Sequence, residues 1–378
     1  MTPTRMLEAD FAVARRTFDV SALLCLGPGE RLSLFGPSGA GKTTCLEAIA
    51  GTVPLKSGRI QLDGRLVNLA KTRRRRLASL AEQPVPPLER GVAVVRQPTT
   101  LFPHMNVRAN VAYGLGGREP QGARSIEDLL EHVGLGGLAG AMPDALSGGQ
   151  RQRACLARAI ARPFRALLLD EPFSAVDAAS RSTLRSIAVE ATTRADAVAV
   201  LVTHDLAEAQ AFGHRIGIMD DGRILQLGGT DELVRQPATV RVAELCGYRS
   251  FVPHESGKLW ALHPDRFVEG AWPQRGVVLS GIVRSVQPFG PRFACEMTPC
   301  GHLEGNGADI VAAVGPPLFG EITPGQNAVR IHVDAPPRVG DTWEVTSLSP
   351  PLVSRVAVMG GAGRMNDCQI PAAIPMTD

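Results

Sequence analysis

The segment 36-GPSGAGKT-43 is the feature that most restricts what this chain can fold into. It has the pattern G-x-x-x-x-G-K-[ST], it follows the apolar stretch 31-RLSLF-35, and it precedes 44-TCLEAIAG-51, whose spacing is helical and which stops at glycine. A strand, a glycine loop and a helix in this order form a phosphate-binding loop, because glycines let the backbone wrap a phosphate and a helix N-terminus favours its charge. The loop alone predicts only a site for a nucleoside triphosphate.

The same motif assigns the individual contacts. We expect Lys42 to reach the β- and γ-phosphates and Thr43 to ligate Mg²⁺. The residues of the loop that we expect to line the nucleotide are Gly36, Pro37, Ser38, Gly39, Ala40, Gly41, Lys42, Thr43 and Thr44.

Two adjacent acids end the apolar run 165-RALLLDEP-172. Asp170 can hold Mg²⁺ through water, and Glu171 can act as the base that polarises an attacking water. A plain helix cap is the alternative for such a pair. The buried-looking run before the acids, in a chain that also has a phosphate loop, favours the catalytic interpretation.

Strands and helices alternate over roughly the first 240 residues, which predicts an α/β sandwich with ligand groups at its strand ends. A mostly helical middle is predicted over about 105–165, and a helix over 205–213. The predicted strands are 6–14, 17–26, 31–35, 91–97, 165–172 and 196–205, and the predicted hairpins are 58–68 and 216–228, each turning at Asp-Gly.

The composition changes near residue 245, where Pro and Gly become frequent and helical periodicity ends. Short β-like runs predict a second, all-β domain of small barrels, and they lie at 276–286, 309–314, 327–334 and 342–348. The predicted domains are 1–240, with a helical subdomain at about 100–162, then 245–358, and a disordered tail at 359–378.

Composition excludes few classes of function. The net charge of +3 is too small to argue for nucleic acid or an acidic membrane, and the seven cysteines lack zinc-site spacing. No apolar run approaches about 18 residues, so no membrane-spanning helix is expected, and no secretory signal is visible. The arginine-rich segment 71–87 could be a nucleic-acid patch, but no aromatic residues interleave with it, which favours a solvated surface loop.

Six motifs occur in an order that resembles the nucleotide-binding subunits of ATP-binding-cassette (ABC) transporters. They are 36-GPSGAGKTT-44, Gln97, 146-LSGGQRQR-153, 167-LLLDEP-172, 174-SAVD-177 and His204, and the resemblance covers about residues 5–240. The LSGGQ sequence separates this family from other P-loop proteins. The segment 101-LFPHMNV-107 and the β-rich C-terminal region are similar to bacterial importer ATPases of the sulfate, molybdate, iron(III), polyamine and maltose type, whose C-terminal modules are often called TOBE domains.

The resemblance implies a P-loop NTPase fold of the ABC type, with a RecA-like core and a helical subdomain, followed by an OB/TOBE-like all-β domain. It implies an ATP hydrolase with ATP and Mg²⁺ as cofactors. Glu171, His204 and Gln97 are its catalytic residues, and Thr43, Gln97 and Asp170 hold the metal. The remaining nucleotide contacts come from Ser147, Gly148, Gly149, Gln150 and Asp177, which by resemblance serve the opposite subunit, and from Phe11 as the aromatic residue that stacks on adenine.

The implied partners are a second copy of the chain, packed head to tail around two ATP molecules, a separate membrane permease, and indirectly a periplasmic or extracellular solute-binding protein. No nucleic acid is expected, and the chain is placed at the cytoplasmic face of the membrane. The implied substrate is an inorganic ion (iron(III), molybdate or sulfate), with a polyamine or sugar as alternatives. Two other classes stay open: a soluble ABC ATPase acting on nucleic acid or the ribosome, and a binding protein with a dead ATP site.

Three positions depart from the family pattern. Phe11 and Phe18 are the only aromatics before the phosphate loop, and Val13 lies nearer the expected place of the adenine-stacking residue. Arg96 precedes Gln97, where the family commonly has an aromatic residue. The segment 71–87 looks inserted.

Overall fold

The structure is a computed structural model that describes residues 5–70, 84–97, 100–115, 125–174 and 176–248, and beyond residue 249 the backbone of ten strands. Residues 71–83, which hold most of the arginine-rich segment, and the predicted tail at 359–378 lie outside this description. The chain divides into two compact units between Thr230 and Asp231. The domain boundaries predicted at 240 and 245 stay predictions. Within the described residues no helix combines the length and the hydropathy needed to cross a bilayer.

The first unit contains ten strands and six helices within its described residues. The strands are β1 (Leu7–Val13), β2 (Val20–Leu26), β3 (Arg31–Phe35), β4 (Ser57–Leu62), β5 (Arg65–Leu69), β6 (Val92–Val95), β7 (Ala166–Asp170), β8 (Val198–Thr203), β9 (Arg215–Asp220) and β10 (Arg223–Gly229). The helices are α1 (Lys42–Ala50), α2 (Val107–Tyr113), α3 (Ile126–His132), α4 (Gly148–Ile160), α5 (Ala178–Arg194) and α6 (Leu206–Phe212).

The ten strands form one sheet in the order β5-β4-β1-β2-β10-β9-β3-β8-β7-β6. Strands β9, β3, β8, β7 and β6 pair in parallel, so their carboxyl ends share one edge. In register, Phe35 of β3 lies beside Thr203 of β8, and Asp170 of β7 lies beside Val202. This edge therefore collects the residues that follow each of these strands.

Two predicted hairpins are confirmed, because β4 pairs with β5 and β9 pairs with β10, both antiparallel. Their turns are Asp63-Gly64, with φ of +52° and +71°, and Asp221-Gly222, with φ of +43° and +77°. Successive left-handed residues match the twist of a two-residue hairpin, and Asp-Gly is among the pairs that adopt them most readily.

The core lies on both faces of the sheet. Strands β7 and β8 are buried at every residue, and their side chains alternate between two clusters. Leu168 and Val200 pack on the face that α1 covers, whereas Leu167 and Leu201 pack on the face that α4 and α5 cover. Burial on both faces explains why these strands read as unbroken apolar runs.

Within the described residues the predicted helical middle is confirmed as α2, α3 and α4, with two short 3₁₀ turns between α3 and α4. The three helices begin at side-chain caps: Asn106 accepts from the amide of Ala109, and both Ser125 and Ser147 form capping boxes. These local signals fix where each helix starts, since a cap satisfies an amide that the helix leaves unpaired.

The second unit begins with α7 (Thr230–Arg235) and α8 (Val240–Leu245), and its described residues from 250 onward are all strands. They are β11 (Ser250–Pro253), β12 (Leu259–Leu262), β13 (Phe267–Glu269), β14 (Gly276–Phe289), β15 (Arg292–Pro299), β16 (Leu303–Gly305), β17 (Ala308–Ile310), β18 (Val329–Val333), β19 (Thr342–Leu348) and β20 (Leu352–Val353). They form a three-stranded sheet, β11-β12-β20, and a second sheet built on the path β13-β19-β14-β15-β18. The predicted runs 327–334 and 342–348 contain β18 and β19, and the run 276–286 lies within the longer β14. Of the run 309–314, residues 309 and 310 fall in β17, and the rest lie outside the described residues.

His214 joins two segments of the sheet as an unprotonated acceptor, which makes stability depend on pH. Its Nδ1 accepts from the amide of Arg31 at 3.3 Å, and its own amide donates to the Arg31 carbonyl at 2.8 Å. Burial, and then the Arg31 charge, hold the pKa of His214 below its ordinary value of 6.5. The unfolded chain therefore takes up this proton first, so stability present at neutral pH is lost as the pH falls below about 6.5.

We expect His214→Asn to lose less stability than the parent chain between about pH 7.5 and about pH 5.5. Asparagine keeps an acceptor near the position of Nδ1 but does not titrate. Urea-unfolding midpoints at both pH values measure the difference, and His104→Asn, at an exposed position, is the control that should behave like the parent. Equal acid sensitivity in all three proteins would contradict this assignment.

Candidate functional site

Four polar segments meet at the carboxyl edge of the parallel strands. The glycine loop follows β3, Gln97 lies just beyond β6, Asp170 ends β7 with Glu171 next to it, and His204 follows β8. The crevice outside the carboxyl ends of parallel strands is where open α/β sheets bind ligands. The order of strands thus brings together residues that are far apart in the sequence.

Glycine is required at specific positions of the phosphate loop. Gly39 and Gly41 have φ of +84° and +100°, and Gly41 lies at the start of α1. A Cβ on Gly36 would lie 2.0 Å from the Met219 carbonyl oxygen, so any larger residue would push the loop away from β9. The backbone can therefore wrap a phosphate while it stays packed on the sheet.

Lys42 is a buried cation inside this loop, with 5% of the residue exposed. Its Nζ donates to the carbonyl oxygens of Gly36 and Pro37, both at 2.8 Å. Burial lowers the pKa of Lys42, while the charges of Glu171 and Asp170 raise it. A phosphate in the loop would add a further negative charge beside this ammonium.

Thr43 and Asp170 form a pair of hard oxygen donors. Thr43 Oγ1 donates to Asp170 Oδ1 at 3.0 Å, and Asp170 is 8% exposed. Burial raises the pKa of Asp170, the Thr43 hydrogen bond opposes that, and Glu171 and Glu47 add repulsion. A cation here would relieve the cost of the buried carboxylate. The donor set fits Mg²⁺, which binds through one or two protein oxygens and completes its shell with waters and phosphate oxygens.

Glu171 and His204 contact each other beside this pair. Glu171 Oε1 lies 3.1 Å from His204 Nδ1, and the side chains are 19% and 56% exposed. Glu171 has φ of +44°, a left-handed conformation that a residue with a side chain adopts at a cost, and its amide donates to Val202 at 3.0 Å. The neighbouring strand thus holds the carboxylate in a fixed, partly accessible position suited to a general base.

Gln97 is linked to the backbone of Glu171 through Ser174. Gln97 Nε2 donates to Ser174 Oγ at 3.2 Å, and Ser174 Oγ donates to the Glu171 carbonyl at 3.0 Å. Arg96, the unusual neighbour of Gln97, points a guanidinium nitrogen to Thr52 Oγ1 at 3.3 Å. Gln97, beyond the end of β6, is therefore linked by hydrogen bonds to the loop after β7.

The segment 146-LSGGQRQR-153 forms the start of α4. Ser147 caps the helix: its amide donates to Gln150 Oε1 at 2.8 Å, and its Oγ accepts from the Gln150 amide at 3.2 Å. A Cβ on Gly149 would lie 3.2 Å from a methyl of Val176. The small residues of this turn thus let the segment before α5 approach closely.

Asp177 caps the next helix, α5, in the same neighbourhood. Its Oδ1 accepts from the amide of Ser180 at 3.0 Å, and the Ser180 side chain lies 3.6 Å from the Cβ position of Gly149. The starts of α4 and α5, each with exposed or half-buried polar residues, therefore form one surface. The structure places the LSGGQ turn next to Val176 and the Asp177 cap of α5.

The structure corrects the prediction for Phe11. This residue lies in the middle of β1, paired with Ala22 and Gly58 on the two neighbouring strands, and only 3% of it is exposed. It belongs to the main core cluster. A ring enclosed in this way has no free face for adenine, so the predicted stacking contact is wrong.

Two residues that the motifs did not single out also contact the site segments. Arg15 Nε donates to Thr44 Oγ1 at 3.0 Å and its guanidinium also pairs with Glu47, which places a cation beside the first turn of α1. Arg181 of α5 contacts both Val176 and the residues that follow His204. No sequence pattern marks either residue, since each contact joins segments distant in the chain.

The first unit is similar in sequence to known proteins. A family model described as ABC transporter matches residues 21–174. The Fe(3+) ions import ATP-binding protein FbpC of Pseudomonas fluorescens is 40% identical over 231 residues, 61% of this chain and 62% of that protein. The sulfate/thiosulfate import ATP-binding protein CysA 2 of Chromobacterium violaceum is 40% identical over 236 residues, 62% of this chain and 60% of that protein. The match thus spans about three fifths of these relatives.

A solved structure described as a metal-chelate type ABC transporter in an inward-facing conformation has the same fold as the part of the chain that it matches. It superposes with a TM-score of 0.50 at 20% identity and covers 68% of this chain and 95% of that one. The family match over residues 21–174, the relatives and the ordered motifs at one sheet edge together show that the first unit of this chain contains an ABC transporter domain.

Proposed function

We propose that this chain is the ATP-binding and ATP-hydrolysing subunit of an ABC importer. The observation that carries the proposal is the contact of Glu171 with His204 at the sheet edge that also holds Lys42 and the Thr43–Asp170 pair. Nucleotide-binding, metal-binding and water-activating groups are then all present in one crevice. A dead nucleotide site would not need this complete set.

In this proposal the triphosphate lies in the glycine loop, where backbone amides, the N-terminus of α1 and Lys42 bind its charge. Thr43 and Asp170, with Gln97 nearby, would hold Mg²⁺, which neutralises charge on the phosphates. Glu171 accepts a proton from the attacking water, and His204, held by Glu171, faces the γ-phosphate. Catalysis then consists of positioning and charge stabilisation, with no covalent intermediate.

The proposal includes a homodimer in which Ser147, Gly148, Gly149, Gln150 and Asp177 complete the site of the opposite chain. The thirteen-residue helix α4 supports this role, because its N-terminus carries partial positive charge and begins with small residues. Asp177 lies on the same surface, as the Gly149–Ser180 approach shows. Two copies packed head to tail would each contribute a phosphate loop and an LSGGQ turn.

The substrate class rests on the relatives. Their names specify import of Fe(3+) ions and of sulfate or thiosulfate, which supports an inorganic ion as the substrate of the importer that this chain energises. A membrane permease and a solute-binding protein would be its partners, with the chain at the cytoplasmic face. The β-rich second unit would be a TOBE-like regulatory domain, which its two sheets support.

Chelation of Mg²⁺ tests the site. We expect the purified chain to release phosphate from ATP with Mg²⁺ and to fall to background with EDTA, because Thr43 and Asp170 leave most of the metal shell to phosphate oxygens and water. Readdition of Mg²⁺ should restore the rate. Hydrolysis that is insensitive to EDTA would contradict the metal assignment.

Uptake in cells tests the importer. In cells that lack this chain, accumulation of radiolabelled iron(III), sulfate or molybdate should fall and should be restored by the parent chain but not by Glu171→Gln. Restoration by the inactive variant, or co-purification with ribosomes or DNA in place of membranes, would contradict the proposal.

A further inference from the structure

Arg181 lies between two loops of the candidate site. It is in the first turn of α5, and its Nη2 donates to the Val176 carbonyl at 3.4 Å, next to Asp177. Its Nη1 lies 3.4 Å from Glu208 Oε1 and 3.8 Å from Asp205 Oδ2, both in the α6 region after His204. One guanidinium therefore reaches the segment before α5 and the segment that follows β8.

The Glu208 carboxylate links Arg181 to the residues on both sides of His204. While Oε1 faces Arg181, Oε2 accepts from Thr203 Oγ1 at 2.7 Å, and the same Thr203 oxygen accepts from the amide of Asp205 at 3.1 Å. Thr203 and Asp205 are the residues on either side of His204 in the chain. The backbone that carries the imidazole is thus held from both directions.

Burial makes this arrangement hard to rearrange. Glu208 is 8% exposed and Thr203 1% exposed, and Arg181 Nε is buried without a hydrogen-bond partner within the described residues. Removal of the guanidinium would take away the positive charge that contacts both Glu208 and Asp205, and Glu208 is out of water. The guanidinium contacts both carboxylates through Nη1 and the Val176 carbonyl through Nη2, a spread that the single nitrogen of a lysine does not reproduce.

We propose that Arg181 is a positioning residue that ties the orientation of His204 to the placement of Val176 and Asp177. The inference rests on the proposed ATPase function. Ser174 contacts Gln97, and Asp177 lies beside the LSGGQ turn, so a displacement of these residues would reach His204 through Arg181 and Glu208. Assembly of the second half-site and the orientation of His204 would then be coupled within one chain.

Steady-state kinetics test the coupling. We expect Arg181→Ala to lower kcat at least about tenfold while the affinity for ATP changes less than about threefold, since Arg181 contacts Val176, Asp205 and Glu208. Arg181→Lys should recover part of the loss. In the double variant Arg181→Ala/His204→Ala the rate should match that of His204→Ala alone, because Arg181 acts only by positioning the His204 side chain. Arg194→Ala, which alters an exposed pair on the same helix, should leave kcat unchanged.

A readout independent of hydrolysis separates this inference from the proposed function. The NMR resonance of the His204 ring, assigned with His204→Gln, should shift or broaden in Arg181→Ala and Glu208→Gln but not in Arg194→Ala. An unchanged resonance, an unchanged kcat in Arg181→Ala, or losses that multiply in the double variant would each overturn the inference. A parent chain without ATPase activity but with the expected shift would instead refute the proposed function and leave the coupling standing.

Discussion

Glu171→Gln is expected to lower ATP hydrolysis at least about 100-fold while ATP binding persists. Glutamine has nearly the same shape and can keep the contact with His204 at the position of Oε1, but it cannot accept the proton of the attacking water. ATP should therefore stay bound, and the head-to-tail dimer that it stabilises should accumulate. Phosphate release measures the first effect, and size-exclusion chromatography with ATP measures the second.

The matched control for this change is Glu190→Gln. Glu190 lies on α5 and pairs with Arg194 and His132 at the surface, so its loss should leave hydrolysis and assembly as in the parent. A Glu171→Gln protein that hydrolyses ATP at the parental rate would remove Glu171 from the role of base.

Ser147→Arg should abolish hydrolysis and leave the affinity of the single chain for ATP largely intact. The change puts a long cation at the N-terminus of α4, where the proposed γ-phosphate contact to the other chain is made, and it does not touch the loop around Lys42. It also removes a helix cap, which costs about 1 kcal/mol. Equilibrium dialysis of ATP and phosphate release measure the two properties separately.

Ser125→Arg controls for the lost cap. Ser125 forms the same capping box on α3 that Ser147 forms on α4, so this variant should lose a similar stability while it keeps hydrolysis. Parallel loss of ATP binding and hydrolysis in Ser147→Arg would contradict a two-chain site, as would equal inactivation by Ser125→Arg.

Local features of this fold were predictable because the sequence carries them in short windows. The turns at Asp63-Gly64 and Asp221-Gly222 follow from residues that tolerate positive φ. The strand that ends at Asp170 follows from an apolar run buried on both faces. The convergence of strand ends at one edge then follows from parallel pairing.

The features that the sequence did not predict are contacts between segments far apart in the chain. Phe11 looks like an available aromatic in sequence, and only its pairing with two neighbouring strands shows that it is enclosed. Arg181 and Glu208 belong to different helices, and Arg15 reaches Thr44 from another strand end. Charged residues at such positions have no periodicity or motif that distinguishes them from solvated surface residues.

Whether each ATP site is shared between two chains is tested most directly by mixing two inactive variants, Lys42→Ala and Ser147→Arg. Each is defective in a different half-site, so a mixed head-to-tail dimer contains one site built from the intact loop of one chain and the intact LSGGQ turn of the other. After exchange of chains at equal concentration, half of the dimers are mixed and each has one working site, so the rate should recover to about a quarter of the parental value. A mixture that stays as inactive as its separate components would contradict the central claim that each ATP site is shared between two chains.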